Sequence, residues 1–133
     1  MFSFCKLIVA QENIKREINK FDEGCILSTN TGRTENKFVL SKESYDNYIT
    51  GISSGISNPI KRSDEIYTSG IAYVKYNSEN GMIKKGDLIT ASSQSGFGMK
   101  ATKSGMIVGV ALEDATNDSG LIKIRISIQY VAQ

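Results

Sequence analysis

The chain has 133 residues, the size of one domain, with 40% hydrophobic and 23% charged residues and a formal net charge of +2. That balance excludes a disordered chain and gives no support to the clustered basic face of a duplex-binding protein. The chain contains no histidine, which removes catalysis on a histidine base, histidine metal ligation and the usual pH switch.

Residues 1–21 read as an N-terminal arm ahead of a single β-rich domain over residues 22–133. The apolar run from Phe2 to Ala10 is interrupted by Ser3 and Lys6. It is far short of the roughly 20 residues a membrane-spanning helix needs, and it lacks the basic start and cleavage site of a signal peptide. No membrane association is expected, and the chain reads as keeping its own N-terminus. Phe2, Phe4, Leu7 and Val9 are costly to leave in water, at about 1.5–3 kcal/mol for each fully buried large apolar side chain. They form a candidate docking interface, suited to adding a strand to a neighbouring sheet edge or to closing the chain's own sheet. Cys5 and Cys25 are the only thiols. Without histidine they make a zinc site unfavourable, and they read as two small buried residues, with a disulfide as the alternative. Glu12–Lys20 has the spacing of a short helix through Ile14 and Ile18, although Ile14, Arg16 and Ile18 also fit a strand.

The rest of the chain punctuates as strands and turns, with 12 Gly against a single Pro. Ile66–Tyr76 is rich in Tyr, Ile and Val, with a bend expected at Gly70. Asn80-Gly81 signals a tight turn, and Asp87–Ala91 and Met106–Leu112 are compact apolar runs. Asn117–Gly120 is a turn feeding the clearest strand, in which Ile122, Ile124, Ile126, Ile128 and Tyr130 alternate with Lys123, Arg125, Ser127 and Gln129.

An internal echo runs through this pattern. Asp22-Glu23-Gly24-Cys25-Ile26-Leu27-Ser28-Thr29 resembles Lys84-Lys85-Gly86-Asp87-Leu88-Ile89-Thr90-Ala91, and Ile49-Thr50-Gly51-Ile52-Ser53 resembles Ile107-Val108-Gly109-Val110-Ala111. The Gly of each "I-x-G-(I/V)" is expected where a strand approaches too closely for a side chain. The reading is an all-β fold, a small barrel-like or sandwich domain of two similar β-units, with the short N-terminal helix as its one helical element.

The second half carries a wider pattern: Gly81-Met82-Ile83-Lys84-Lys85-Gly86-Asp87-Leu88-Ile89-Thr90, then Ser95 to Gly105, then Ile107-Val108-Gly109-Val110-Ala111-Leu112-Glu113-Asp114. It resembles the β-rich C-terminal module of bacteriophage tail fibres, neck appendages and bacterial surface fibres. Tyr45-Asp46 followed by Ile49 to Ser54 resembles the upstream part of that module. The ending Val108–Leu112 followed by Gly120–Ile126 is also similar to phage capsid decoration proteins. Two features depart from the fibre pattern: Ser95-Gly96 stands where Pro-Gly is usual, and no repetitive shaft precedes the module.

The resemblance implies a non-enzymatic structural virion protein, capsid decoration or a tail fibre or baseplate component. Its expected partners are copies of itself, a trimer favoured, and other virion proteins, with no nucleic acid and no cofactor. A receptor- or glycan-binding module is the runner-up, using candidate loops with Thr31 and Arg33 and with Ser93, Gln94 and Phe97. Some relatives of the fibre module are self-cleaving chaperones, and Ser92, Ser93 and Ser95 with Lys100 or Lys103 have the residue types of a Ser–Lys dyad. A Ser-rich loop with nearby lysines is, however, the ordinary composition of a solvated turn. Asp114, Asn117 and Asp118 lack the oxygen count and spacing of a calcium loop and read as a turn. Tyr45, Tyr48, Tyr67, Tyr73 and Tyr76 could make a stacking platform, but tyrosine is equally a normal strand residue.

Overall fold

A computed structural model describes residues 22–29, 38–54 and 66–133. The arm, the expected helix over Glu12–Lys20, and Thr31 and Arg33 lie outside the described residues. Every regular element described is a strand. In chain order these are β1 (Ile26–Thr29), β2 (Phe38–Leu40), β3 (Ile49–Ser53), β4 (Ile66–Tyr67), β5 (Ile71–Asn77), β6 (Leu88–Ala91), β7 (Gly98–Lys100), β8 (Gly105–Ala111) and β9 (Ser119–Val131). They form a four-stranded sheet in the order β2-β1-β3-β4 and a closed barrel in the order β5-β7-β6-β8-β9. The all-β, barrel-containing fold matches the sequence expectation.

The sequence echo is a structural one. Ile26↔Ile52 and Leu27↔Gly51 in β1–β3 correspond to Leu88↔Val110 and Ile89↔Gly109 in β6–β8. Leu27↔Leu40, Ser28↔Val39 and Thr29↔Phe38 in β1–β2 correspond to Ile89↔Lys100, Thr90↔Met99 and Ala91↔Gly98 in β6–β7. Ile52↔Tyr67 in β3–β4 corresponds to Val110↔Arg125 in β8–β9. The connecting hydrogen bonds correspond as well. The Gly24 amide donates to the Ser53 carbonyl and the Ser53 amide to the Cys25 carbonyl, just as Gly86 donates to Ala111 and Ala111 to Asp87. Gly24 and Gly86, at φ of 88° and 93°, make the same left-handed turn into the first strand of each unit. The protein is one four-stranded plan used twice, and the second copy is closed into a barrel by β5.

The span expected as one strand, Ile66–Tyr76, is divided. Gly70, at φ of 87°, separates β4 from β5 and passes the chain from the first sheet into the barrel. The two units then share their cores. Ile26, Ile49 and Ile52 of the sheet belong to one buried cluster with Val74, Ile89, Val108, Ile122 and Ile124 of the barrel. In the other direction, Phe97 of the β6–β7 loop is buried with Cys25 and Leu27 against Phe38, Leu40 and Ile66 of the sheet. Cys25 is fully buried and takes part in a disulfide, where the sequence favoured a free thiol.

Candidate interaction surface

Of the regions singled out by sequence, the β6–β7 loop with its neighbouring lysines, the tyrosines and the acidic turn lie within the described residues. The loop is held from both sides. Toward the β5 end, the Asn77 side-chain amide donates to Ser92 Oγ and to Gln94 Oε1, each at 3.2 Å. Ser93 donates from its amide and its hydroxyl to Glu79 Oε1, both at 3.0 Å. Toward the first sheet, the Gly96 amide donates to Ser41 Oγ at 3.0 Å and the Gly96 carbonyl accepts from the Ile26 amide at 2.8 Å. Ser93 is exposed and Gln94 half-buried, and the polar groups of both take part in these structural bonds.

Phe97 is not a surface residue. It is 2% exposed and packs in the second core cluster, which corrects its assignment as a ligand-contacting loop residue. Its neighbours Cys25 and Leu27 are distant in sequence, so a Ser- and Gly-rich local context hid a core side chain.

The candidate dyad residues are directed elsewhere. Lys100 Nζ lies 3.7 Å from Asp87 Oδ2, and Lys103 Nζ lies 5.1 Å from the centroid of the Tyr45 ring. Asp114 Oδ1 accepts the Lys85 amide at 2.8 Å, tying the turn before β6 to the β8–β9 loop. The tyrosines are dispersed. Tyr76 is buried and donates to the Asn117 carbonyl at 2.9 Å, whereas Tyr48 and Tyr73 are exposed.

Asp46, which the sequence did not single out as a site, and Tyr45, which it named only among the tyrosines of a stacking platform, organise the junction between the units. Asp46, 5% exposed, accepts from Ser28 Oγ at 2.9 Å, the Lys42 amide at 2.9 Å and the Tyr48 amide at 2.8 Å. Each is a charge-assisted bond of about 1.5–3 kcal/mol, so this carboxylate fixes the β2–β3 loop. Tyr45 beside it has φ of 57°, a left-handed conformation costly for a bulky side chain. Its surroundings hold it there: its amide donates to the Ala91 carbonyl at 3.0 Å, and its hydroxyl accepts from the Thr102 and Lys103 amides at 2.8 and 3.2 Å. A Cβ on Gly105 would come within 2.6 Å of Tyr45 Cδ2, so glycine is what lets the ring lie flat on the start of β8. The local signal was the Tyr45-Asp46 pair itself, present in the sequence pattern without any indication of what it held.

Burial opposes ionisation of Tyr45, but hydrogen bonds from Thr102 and Lys103 and the Lys103 charge together hold its pKa below the ordinary tyrosine value. A phenol with a depressed folded-state pKa adds stability above its unfolded pKa and loses that addition as pH falls through the folded value. The stability difference between wild type and Tyr45→Phe therefore widens as pH rises from neutral toward 10, measured as paired urea midpoints. A difference that stays constant over that range contradicts the assignment.

The outward face of β5 and β9 carries exposed apolar side chains. Ile71, Tyr73 and Leu121 are 64%, 43% and 48% exposed. The pairings Ile71↔Arg125 and Tyr73↔Lys123 set basic side chains beside them. Alternation along both strands explains this face: Ala72, Val74, Tyr76, Ile122 and Ile124 point inward.

No family model and no curated protein matches the chain. Among solved structures, its fold is similar to the N base of the head fibre gp8.5 of bacteriophage phi29, with a TM-score of 0.53 and 18% sequence identity. The match covers 84% of this chain and 89% of that one.

Proposed function

We propose that the chain is a structural protein of a bacteriophage particle, placed on the head surface, that acts by self-association and docking and not by turnover. The observation that carries this reading is the fold shared with a phage head fibre base over most of both chains. A head position is supported over a tail or baseplate position by the same neighbour. The β6–β7 loop adds support, since the Ser92 and Ser93 hydroxyls and Gln94 Oε1 are bonded within the domain. The exposed Ile71, Tyr73 and Leu121 beside Lys123 and Arg125 supply an amphipathic contact face of the kind that marks protein interfaces. The apolar arm residues Phe2, Phe4, Leu7 and Val9 are the second proposed contact, and a homotrimer is the expected assembly.

The test is the protein content of purified particles from the phage carrying this gene. Mass spectrometry should find the chain in gradient-purified heads, in a fixed ratio to the major capsid protein. Its presence in infected cells together with absence from particles would overturn the reading.

A further inference from the structure

The outward positions of β5 and β9 form two rows of unlike chemistry lying side by side. On β5 the row runs Ile71, Tyr73, Lys75, and on β9 the register sets Arg125, Lys123 and Leu121 opposite them. Neighbouring strands lie about 5 Å apart and alternate residues of one strand about 7 Å apart, so these side chains make one compact patch. Ile71, Tyr73, Leu121 and Arg125 are exposed, and Lys75 and Lys123 are half-buried. The patch sets apolar beside basic side chains and holds no carboxylate, in a chain whose overall balance is 16 Lys and Arg against 14 Asp and Glu. Glu113 reaches the rim from the β8–β9 loop, where its Oε2 accepts the Lys123 backbone amide at 3.0 Å. Among the described residues, neither the Lys123 ammonium nor the Arg125 guanidinium is in an ion pair.

The patch is fixed before any partner arrives. β5 and β9 pair continuously from Ile71↔Arg125 to Asn77↔Ser119 within the closed barrel. The Gly24 carbonyl accepts the Lys75 amide at 2.8 Å, and a Cβ at Gly24 would stand 3.0 Å from Leu121 Cδ2. Leu121 is thereby packed on the turn that enters the first unit. A surface already ordered in this way loses little conformational entropy on binding.

Charge decides what such a patch can meet. A second copy of the same face brings the same cations and no carboxylate, so face-to-face self-pairing sets like charge against like. We propose that the face docks on an acidic protein surface of the head. Apolar side chains of the partner would cover Ile71, Tyr73 and Leu121, and its carboxylates would meet Lys123 and the planar fork of Arg125. The patch offers no side-chain amide or carboxylate to bond sugar hydroxyls, which favours a protein over a glycan. Given the virion reading, on which this rests, the face is reserved for docking and self-association belongs to other surfaces of the chain.

The test uses the full-length protein and gradient-purified heads from a phage lacking the gene, with bound protein measured by co-sedimentation over a range of NaCl concentrations. At low salt, Lys123→Glu with Arg125→Glu should weaken binding by about tenfold or more. Lys84→Glu with Lys85→Glu makes the same change in net charge at an exposed turn and should leave binding unchanged. Converting the carboxylates of the heads to neutral amides with carbodiimide and glycinamide should weaken wild-type binding as the reversal does. Rising salt should narrow the gap between wild type and the reversal variant, because exposed charges are screened. If that variant does not fold, Lys123→Gln with Arg125→Gln gives the same comparison with a smaller shift. Undiminished binding by the reversal variant, an equal loss in the Lys84 and Lys85 variant, or undiminished binding to amidated heads each overturns the proposal while leaving the protein on the head. Wild-type protein that does not bind the heads at all overturns the virion reading with it.

Discussion

Gly109→Ala is expected to destabilise the protein by about 3 kcal/mol, the upper part of the range for overpacking a close-packed interior. The reason is backbone against backbone. A Cβ at Gly109 would press on the Arg125 carbonyl oxygen, with Ile124 Cδ1 3.0 Å away. The carbonyl cannot swing aside, because Arg125 pairs with Ile71 on one side and Val110 on the other in the closed barrel. The corresponding residue of the first unit is a control built into the fold. A Cβ at Gly51 would meet the Tyr67 carbonyl oxygen at 2.8 Å and the mobile end of the Ile66 side chain at 2.9 Å. That contact is looser, so Gly51→Ala should cost less. Gly70→Ala meets nothing within 4 Å but keeps a φ of 87°, so its penalty is conformational and about 1–2 kcal/mol. Chemical denaturation of the three variants should give that order. A Gly109→Ala protein as stable as Gly70→Ala would contradict the pairing of β8 with β9.

Phe97→Ala is expected to cost about 3–5 kcal/mol, the usual range for deleting a buried aromatic ring. Against a total stability of about 5–15 kcal/mol this is a large share. The ring belongs to the barrel by sequence and to the sheet by packing, so its loss should weaken both units together. Ile26→Ala makes the reverse test, since Ile26 belongs to the sheet and packs in the main cluster with the barrel. Its expected cost is about 2–5 kcal/mol. Both variants should still unfold in one transition, with NMR signals of β1–β3 and β6–β9 disappearing at one temperature. Melting of the sheet first, with an intact barrel left behind, would show that the shared packing does not couple them.

Much of this architecture was legible because it is written in local patterns. Period-two alternation identified β9 and its buried Ile122, Ile124 and Ile126. The repeated "I-x-G-(I/V)" located both close strand approaches, and the repeated turn glycines marked the two units. The pattern failed where strands meet irregularly. Ile128 still packs partly buried against the core, but Tyr130, which continues the alternation on paper, is 61% exposed, beyond the shift of the β8–β9 register between Ile107 and Gly109.

The candidate site was less legible, for a related reason. Ser93 and Gln94 look like free loop chemistry until Glu79 and Asn77 are seen beside them. Phe97 looks exposed until the loop folds back on the first sheet. Asp46 and Tyr45 carry no periodicity, and their roles come from Ser28, Thr102, Lys103 and Gly105, which only the tertiary fold brings near. Long-range partners decide each of these cases, and a single sequence does not display them.

The proposed role is attachment by a rigid module, and reconstitution tests it most directly. Heads assembled from a phage lacking the gene should be mixed with purified protein and separated on a density gradient. The protein should sediment with the heads and saturate at a fixed number of copies, and charge reversal at Lys123 and Arg125 should weaken this attachment without unfolding the domain. Protein that remains at the top of the gradient at every concentration, while folded and intact, would contradict it.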